Sequence, residues 1–153
     1  MLLSLRTRSV AFRRSDWVPA IISYPAKLPK GQTRVQIVTI MDWFPTVLEL
    51  CGIKQEAGAP KLDGHSMTSV IADPKAASAY QVLHFAWAKS WAVRRGDWKL
   101  INQLNKKSNM MDLSLHNLAE PKPEVKDHAE EHPEIVKELT ALHEEWENDL
   151  APK

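Results

Sequence analysis

The chain has 153 residues, 44% of them hydrophobic and 25% charged, with 20 basic and 19 acidic side chains and a formal net charge of +1. This composition fits one domain with its own core, or a subdomain that expects a partner surface. The near-neutral balance gives no electrostatic reason to bind nucleic acid or an acidic polymer. No apolar run approaches the ~20 residues of a membrane span. Met1–Leu5 is too short for a signal-peptide core and its arginines follow rather than precede it, so no export signal is visible and the compartment stays open. A single cysteine, Cys51, excludes an intramolecular disulfide. Charge is graded along the chain. Arg6, Arg8, Arg13 and Arg14 stand in a start without acids, whereas residues 119–150 hold eleven acids against three lysines. The basic start reads as a targeting or phosphate-binding arm, or as a disordered or misread segment.

In chain order, Pro19–Tyr24 reads as a short apolar strand closed by Pro25, and Lys27–Gly31 as a turn. Val35–Ile40 alternates partly and is expected to be extended. Asp42 is placed to cap a helix in which Phe44, Val47, Leu48 and Cys51 recur at helical spacing and Gly52 supplies the stop. Pro45 falls in the first turn, where its missing N–H costs little. A Gly/Ala/Pro-rich loop follows over residues 54–64, then one or two helical turns at Ser66–Ile71, ended by Asp73-Pro74. Gln81–Phe85, Trp91–Arg94, Trp98–Asn102 and Met110–Leu113 are strand candidates, and their short connections favour antiparallel neighbours. The best-marked piece is the hairpin Ala92–Ile101. Val93, Trp98 and Leu100 alternate about a Gly96-Asp97 turn, where glycine tolerates positive φ. Residues 114–131, with Pro121 and Pro123, read as a covering loop. Pro133 opens a last helix whose stripe is Ile135, Leu139, Leu142, Trp146 and Leu150, with the acidic side chains left to water. The expected fold class is α+β: a small antiparallel sheet of about four strands packed by the C-terminal helix.

The ordered series Val18–Ile22, Met41–Ile53, Leu62–Ser66, the 92–101 hairpin, Met111–Leu113 and His132–Val136 resembles the C-terminal part of a type I sulfatase, the arylsulfatase-like hydrolases of the alkaline-phosphatase-like superfamily. The resemblance covers residues 18–150. It implies that residues 18–75 form the edge of a larger α/β catalytic domain and residues 76–153 the small-sheet subdomain, while residues 1–17 match nothing. In the family an acidic residue, two glycines and an arginine precede Val-Pro; here Arg13–Trp17 stand instead, as a shifted frame, a misplaced start or a divergence would produce. The family's nucleophile is a cysteine oxidised to formylglycine within Cys-x-Pro/Ala-Ser-Arg. Cys51-Gly52-Ile53-Lys54-Gln55 does not match that motif, and the family's calcium carboxylates lie upstream of the segments matched here. The expectation is therefore no catalytic residue, no metal site and no cofactor in this chain, with Ca2+ and formylglycine belonging to a full-length parent.

Two residues are candidates for substrate binding. His84 would donate a hydrogen bond to a sulfated sugar or aryl group, because in related enzymes its region runs beside the substrate cleft; otherwise it is a half-buried strand histidine. Arg94 offers a planar guanidinium suited to a sulfate oxyanion. The resemblance also places Arg94 and Lys99 in a structural hairpin motif, where an ion pair or backbone contact is the expected role. Asp63 should bind local backbone amides, and Asp63 with His65 makes a weak metal pair. Glu134, His143 and Glu147 do not follow the zincin order and read as a solvated face. Trp98 and Trp146 fit core positions; Trp87 and Trp91 are left as surface aromatics that could stack on a sugar. The function so implied is a C-terminal fragment of a sulfuric ester hydrolase, inactive alone. Its partners would be a missing N-terminal domain, a further copy of itself or, when complete, a sulfated substrate. The alternatives are a non-enzymatic binding or assembly module, and a chain that completes a separate N-terminal half.

Overall fold

The computed structural model describes residues 4–8 and 17–19 as backbone, and residues 20–105 and 108–150 in full. The arginine side chains of the basic start lie outside the described residues. The chain forms two units, and passes from the first to the second between Tyr80 and Gln81.

The first unit has little regular structure. Strands β1 (Ser4–Arg8), β2 (Trp17–Ala20) and β3 (Thr33–Arg34) make a sheet in the order β2-β1-β3, with β1 antiparallel to β2 and parallel to β3. The segment expected to be extended, Val35–Ile40, forms no strand; β3 lies just before it and ends at Arg34. That residue is pulled inward to serve a helix end: its Nε donates to the Val70 carbonyl and its NH2 group to the Ile71 carbonyl, each at 2.7 Å. These are the last carbonyls of helix α2 (Thr68–Ala72), where a cation is well placed. Helix α1 runs Trp43–Cys51 and stops where Gly52 turns left-handed at φ 71°. Its docking face differs from the apolar spacing. Thr46 is the buried member and Trp43 and Leu50 pack on the core, whereas Phe44 and Val47 are 59% and 48% exposed. The core of this unit gathers Ile22, Leu28, Val38, Met67, Val70 and Ile71.

The second unit is a four-stranded antiparallel meander, β4 (Val82–Trp87), β5 (Ser90–Arg95), β6 (Trp98–Asn105) and β7 (Met110–Asn117), in the order β4-β5-β6-β7. Gly96 adopts φ 57° at the β5–β6 turn, as the hairpin requires. β7 continues to Asn117, past the expected end at Leu113. Registers His84↔Val93, Val93↔Leu100 and Leu100↔Leu115 set these four residues in one row on one sheet face. Val93, Leu100 and Leu115 are fully buried there, against Leu139 of helix α3 (Pro133–Leu150). The segment after β7 folds back along that strand's outer edge. The Leu115 N–H donates to Asp127 Oδ1 at 2.9 Å, and the His128 N–H donates to the Leu115 carbonyl at 2.8 Å.

The stripe on α3 docks as its spacing predicts, with a shift in weight. Leu139 is its fully buried member; Ile135, Leu142 and Trp146 are partly covered, Leu150 is exposed, and His143, outside the stripe, is fully buried beside it. His143 is thus a core residue rather than part of a solvated face. Leu139→Ala should cost about 2–5 kcal/mol, the range for a buried leucine whose site cannot collapse. Trp146→Ala, only half-buried, should cost less. Urea unfolding of both variants checks the order, and a smaller loss for Leu139→Ala would show that α3 docks elsewhere.

Candidate functional site

Three constellations of buried polar side chains can be built from the sequence upward. The first centres on Asp42, 1% exposed, at the turn into α1. Its position suggests a cap for α1, yet its carboxylate faces away from the helix amides. Oδ2 accepts the Thr39 N–H at 2.6 Å and Oδ1 accepts the His65 N–H at 2.8 Å and the Tyr80 hydroxyl. The role expected of Asp63, to gather backbone amides in the 62–66 loop, therefore belongs to Asp42, while Asp63 is exposed. Burial, reinforced by the hydrogen bond to Asp42, pushes the Tyr80 phenol up to about 12. Thr46 extends the arrangement: its hydroxyl donates to the Asp42 carbonyl at 2.5 Å and accepts the Met67 N–H at 2.9 Å. Gly64 permits the approach of the two segments. A Cβ there would stand 2.1 Å from the Met41 carbonyl oxygen, which is backbone and cannot step aside. Gly64→Ala should therefore lower the melting temperature by several degrees, the response of a small domain to ~1–2 kcal/mol. An unchanged melt would show that the loop is free to move off Met41.

The second constellation is the ion pair between Lys99 and Glu124, whose side chains are only 6% and 2% exposed. Glu124 holds it from a left-handed backbone, φ 65°, which a non-glycine residue adopts at a cost. The structural role expected of Lys99 is thus visible. Removing one partner of such a pair leaves an uncompensated buried charge.

The third lies between the sheet and α3. The His84 ring stacks on Trp146 (centroids 5.0 Å apart, planes at 4°), and His143 stacks on Trp91 at 4.1 Å. The imidazoles of His84 and His143 are 6.2 Å apart. His84 Nδ1 is buried with no hydrogen-bond partner among the described residues. Burial pulls the His84 pKa below its usual value, and the neighbouring His143 adds to this. Burial also lowers His143, partly opposed by Glu147 and Glu144; Glu147 Oε1 lies 3.5 Å from its Nε2. Both rings thus resist protonation in the folded state and protonate more readily when unfolded. Stability should be full above pH 6.5 and fall as the pH drops below it toward the folded-state values. Urea midpoints at pH 7.5 and 5.5 should show this, with a smaller loss in a variant carrying His84→Phe and His143→Phe. An equal loss would assign the pH dependence to other groups.

His84 and Arg94, the two candidate substrate contacts, are not brought together. They stand on adjacent strands, but Arg94 neighbours Val93, the residue paired with His84, so the two project to opposite sheet faces. Arg94 Nε donates to the Gly96 carbonyl at 3.0 Å. Trp87 is a surface aromatic, 77% exposed, whereas Trp91 is partly buried against His143. Cys51 is exposed at the C-terminal end of α1. Periodicity did not reveal the Asp42 and Lys99 arrangements, because, Thr39 apart, their partners lie 23 to 38 residues away.

The family described as N-sulphoglucosamine sulphohydrolase, C-terminal, matches residues 7–149. The chain belongs to this family and is a C-terminal portion of a sulfatase. It is 29% identical over 141 residues to arylsulfatase K of Danio rerio, covering 86% of this chain and 26% of that protein. It is 35% identical over 68 residues to human arylsulfatase D, which covers 43% of this chain and 11% of that protein. An uncharacterized sulfatase of Schizosaccharomyces pombe is 28% identical over 136 residues, 79% of this chain and 23% of that one. The chain thus spans about a quarter or less of the length of these relatives.

Proposed function

We propose that this chain supplies the C-terminal part of a sulfuric ester hydrolase and is inactive alone, the formylglycine and Ca2+ machinery residing on sequence outside it. In this reading residues 18–75 are the edge of the catalytic domain and residues 76–153 the small-sheet subdomain. The observation that carries it is the outward apolar surface of the first unit. Ile40 is 80% exposed, Phe44 59%, Val47 48% and Met41 47%, all on α1 or the turn leading into it. A helix that turns such residues outward has a face to bury. The occupant best suited is the remainder of a sulfatase catalytic domain, since the relatives are about four times longer than the matched region. The chemistry of the residues agrees. Cys51 sits at a helix end without the modifiable motif. Among the described residues, the group of His, Cys, Asp or Glu donors close enough to share an ion contains two imidazoles, whereas Ca2+ takes oxygen ligands. Arg94 and His84 remain proposed contacts of the complete enzyme with a sulfated substrate, from opposite faces of the sheet.

The test pairs an activity assay with an association assay. The purified chain with an aryl sulfate and added Ca2+ should show no turnover. Turnover that survives Cys51→Ala would reveal other machinery, and turnover lost with that change would make Cys51 the nucleophile. Sedimentation at several concentrations should show self-association, reduced in a Phe44→Lys, Val47→Glu variant. A concentration-independent monomer with α1 protected from hydrogen exchange would favour an independent binding module instead.

A further inference from the structure

We propose that His128, Glu131 and His132 form a binding site for one divalent transition-metal ion, Zn2+ by ligand chemistry, at the head of α3. Each offers one ligand atom, and these atoms all lie within 4.8 Å of one another. The spacing i, i+3, i+4 is set by a tight turn: the Glu131 and His132 N–H groups both donate to the His128 carbonyl, at 3.1 and 3.0 Å. The turn is held from both sides. The His128 N–H is bonded to the Leu115 carbonyl of β7, and Asp127 Oδ1 receives the Leu115 and Ala129 N–H groups, each at 2.9 Å. Pro133 begins α3 immediately after His132. Trp98 walls the cluster, its ring 5.7 Å from that of His128 and 4.9 Å from that of His132.

The two nitrogens of His128 divide the work. Nδ1 faces Glu131, with Oε2 at 3.0 Å, while Nε2 has Glu120 Oε1 at 2.8 Å. The approach of Glu120 lacks hydrogen-bond alignment, so Nδ1, already turned to Glu131, is the ligand nitrogen. Two imidazoles and a carboxylate are a borderline-soft set that selects Zn2+ or its neighbours over Ca2+ and Mg2+, leaving a fourth position for water. The present occupant of Glu131 is Lys126, whose Nζ lies 2.8 Å from Oε1 and 2.9 Å from Oε2. Its side chain is 54% exposed and can swing into solvent when the ion enters. Lys126 is therefore a built-in competitor. An ion here would join the edge of the sheet to the start of α3.

The experiment is Zn2+ titration of the whole chain against a chromophoric chelator, with Co2+ absorption reporting ligand geometry. One ion per chain should bind, raising the melting temperature. Glu131→Gln and His132→Gln should each weaken binding by at least ~10-fold, while melting without metal like the parent chain. Lys126→Met should tighten it. Absence of stoichiometric binding by the parent chain overturns the proposal. So does undiminished binding in the Glu131→Gln, His132→Gln double variant, which would assign the ion to the other histidines, and so does weaker binding by Lys126→Met.

Discussion

The first unit depends on one buried carboxylate. Among the described residues it has three short strands, two short α-helices and long stretches of irregular chain, so backbone ladders cannot organise it alone. Asp42 does so by accepting donors from residues 39, 65 and 80. A buried carboxylate is costly unless its lone pairs are used, and using them requires three distant segments to converge. The same requirement explains why Gly64 must lie on the Met41 backbone and why Thr46 must be small and hydroxylated. Arg34 repeats the logic with opposite sign, spending its guanidinium on the carbonyls that end α2.

The second unit is organised differently. Its meander supplies local strand pairings, and a row of apolar residues across β5, β6 and β7 meets one helix. Polar groups are inserted into that plan at two places. Lys99 and Glu124 neutralise each other in near-complete burial. His84 and His143 are instead held among tryptophan rings, where the neutral imidazole behaves as a flat, weakly polar packing piece. The pair tolerates the charge; the stack excludes it.

Much of this fold was legible wherever one period decides the outcome. The 92–101 hairpin, the α3 stripe, the Gly52 stop of α1 and the antiparallel sheet rest on local alternation, helical spacing or a left-handed glycine. Where two apolar faces compete, spacing alone misled. Phe44 and Val47 recur at helical intervals, yet the helix docks through Trp43, Thr46 and Leu50, because Thr46 is claimed by Asp42 and Met67. Strand β1 carried no pattern, since its partners are 17–20 and 33–34 and that pairing is set by register rather than composition. The buried polar groups were the least legible. His143 looked solvated because its helix neighbours are acidic, and Trp91 looked exposed because its cover, His143, lies 52 residues on. The family resemblance, by contrast, was readable from the order of short segments, none of which carries it alone.

The segment that returns along β7 has a consequence for how the sheet behaves among other chains. A terminal strand exposes a row of unused N–H and C=O groups, which is a template for another strand. Here the Leu115 amide and carbonyl are both taken, by Asp127 and by the His128 N–H. The return segment is thus a seal against edge-to-edge growth on the β7 side. Any shortened version of the chain that ends before residue 127 would have that border open, and would meet its neighbours as a fibre does.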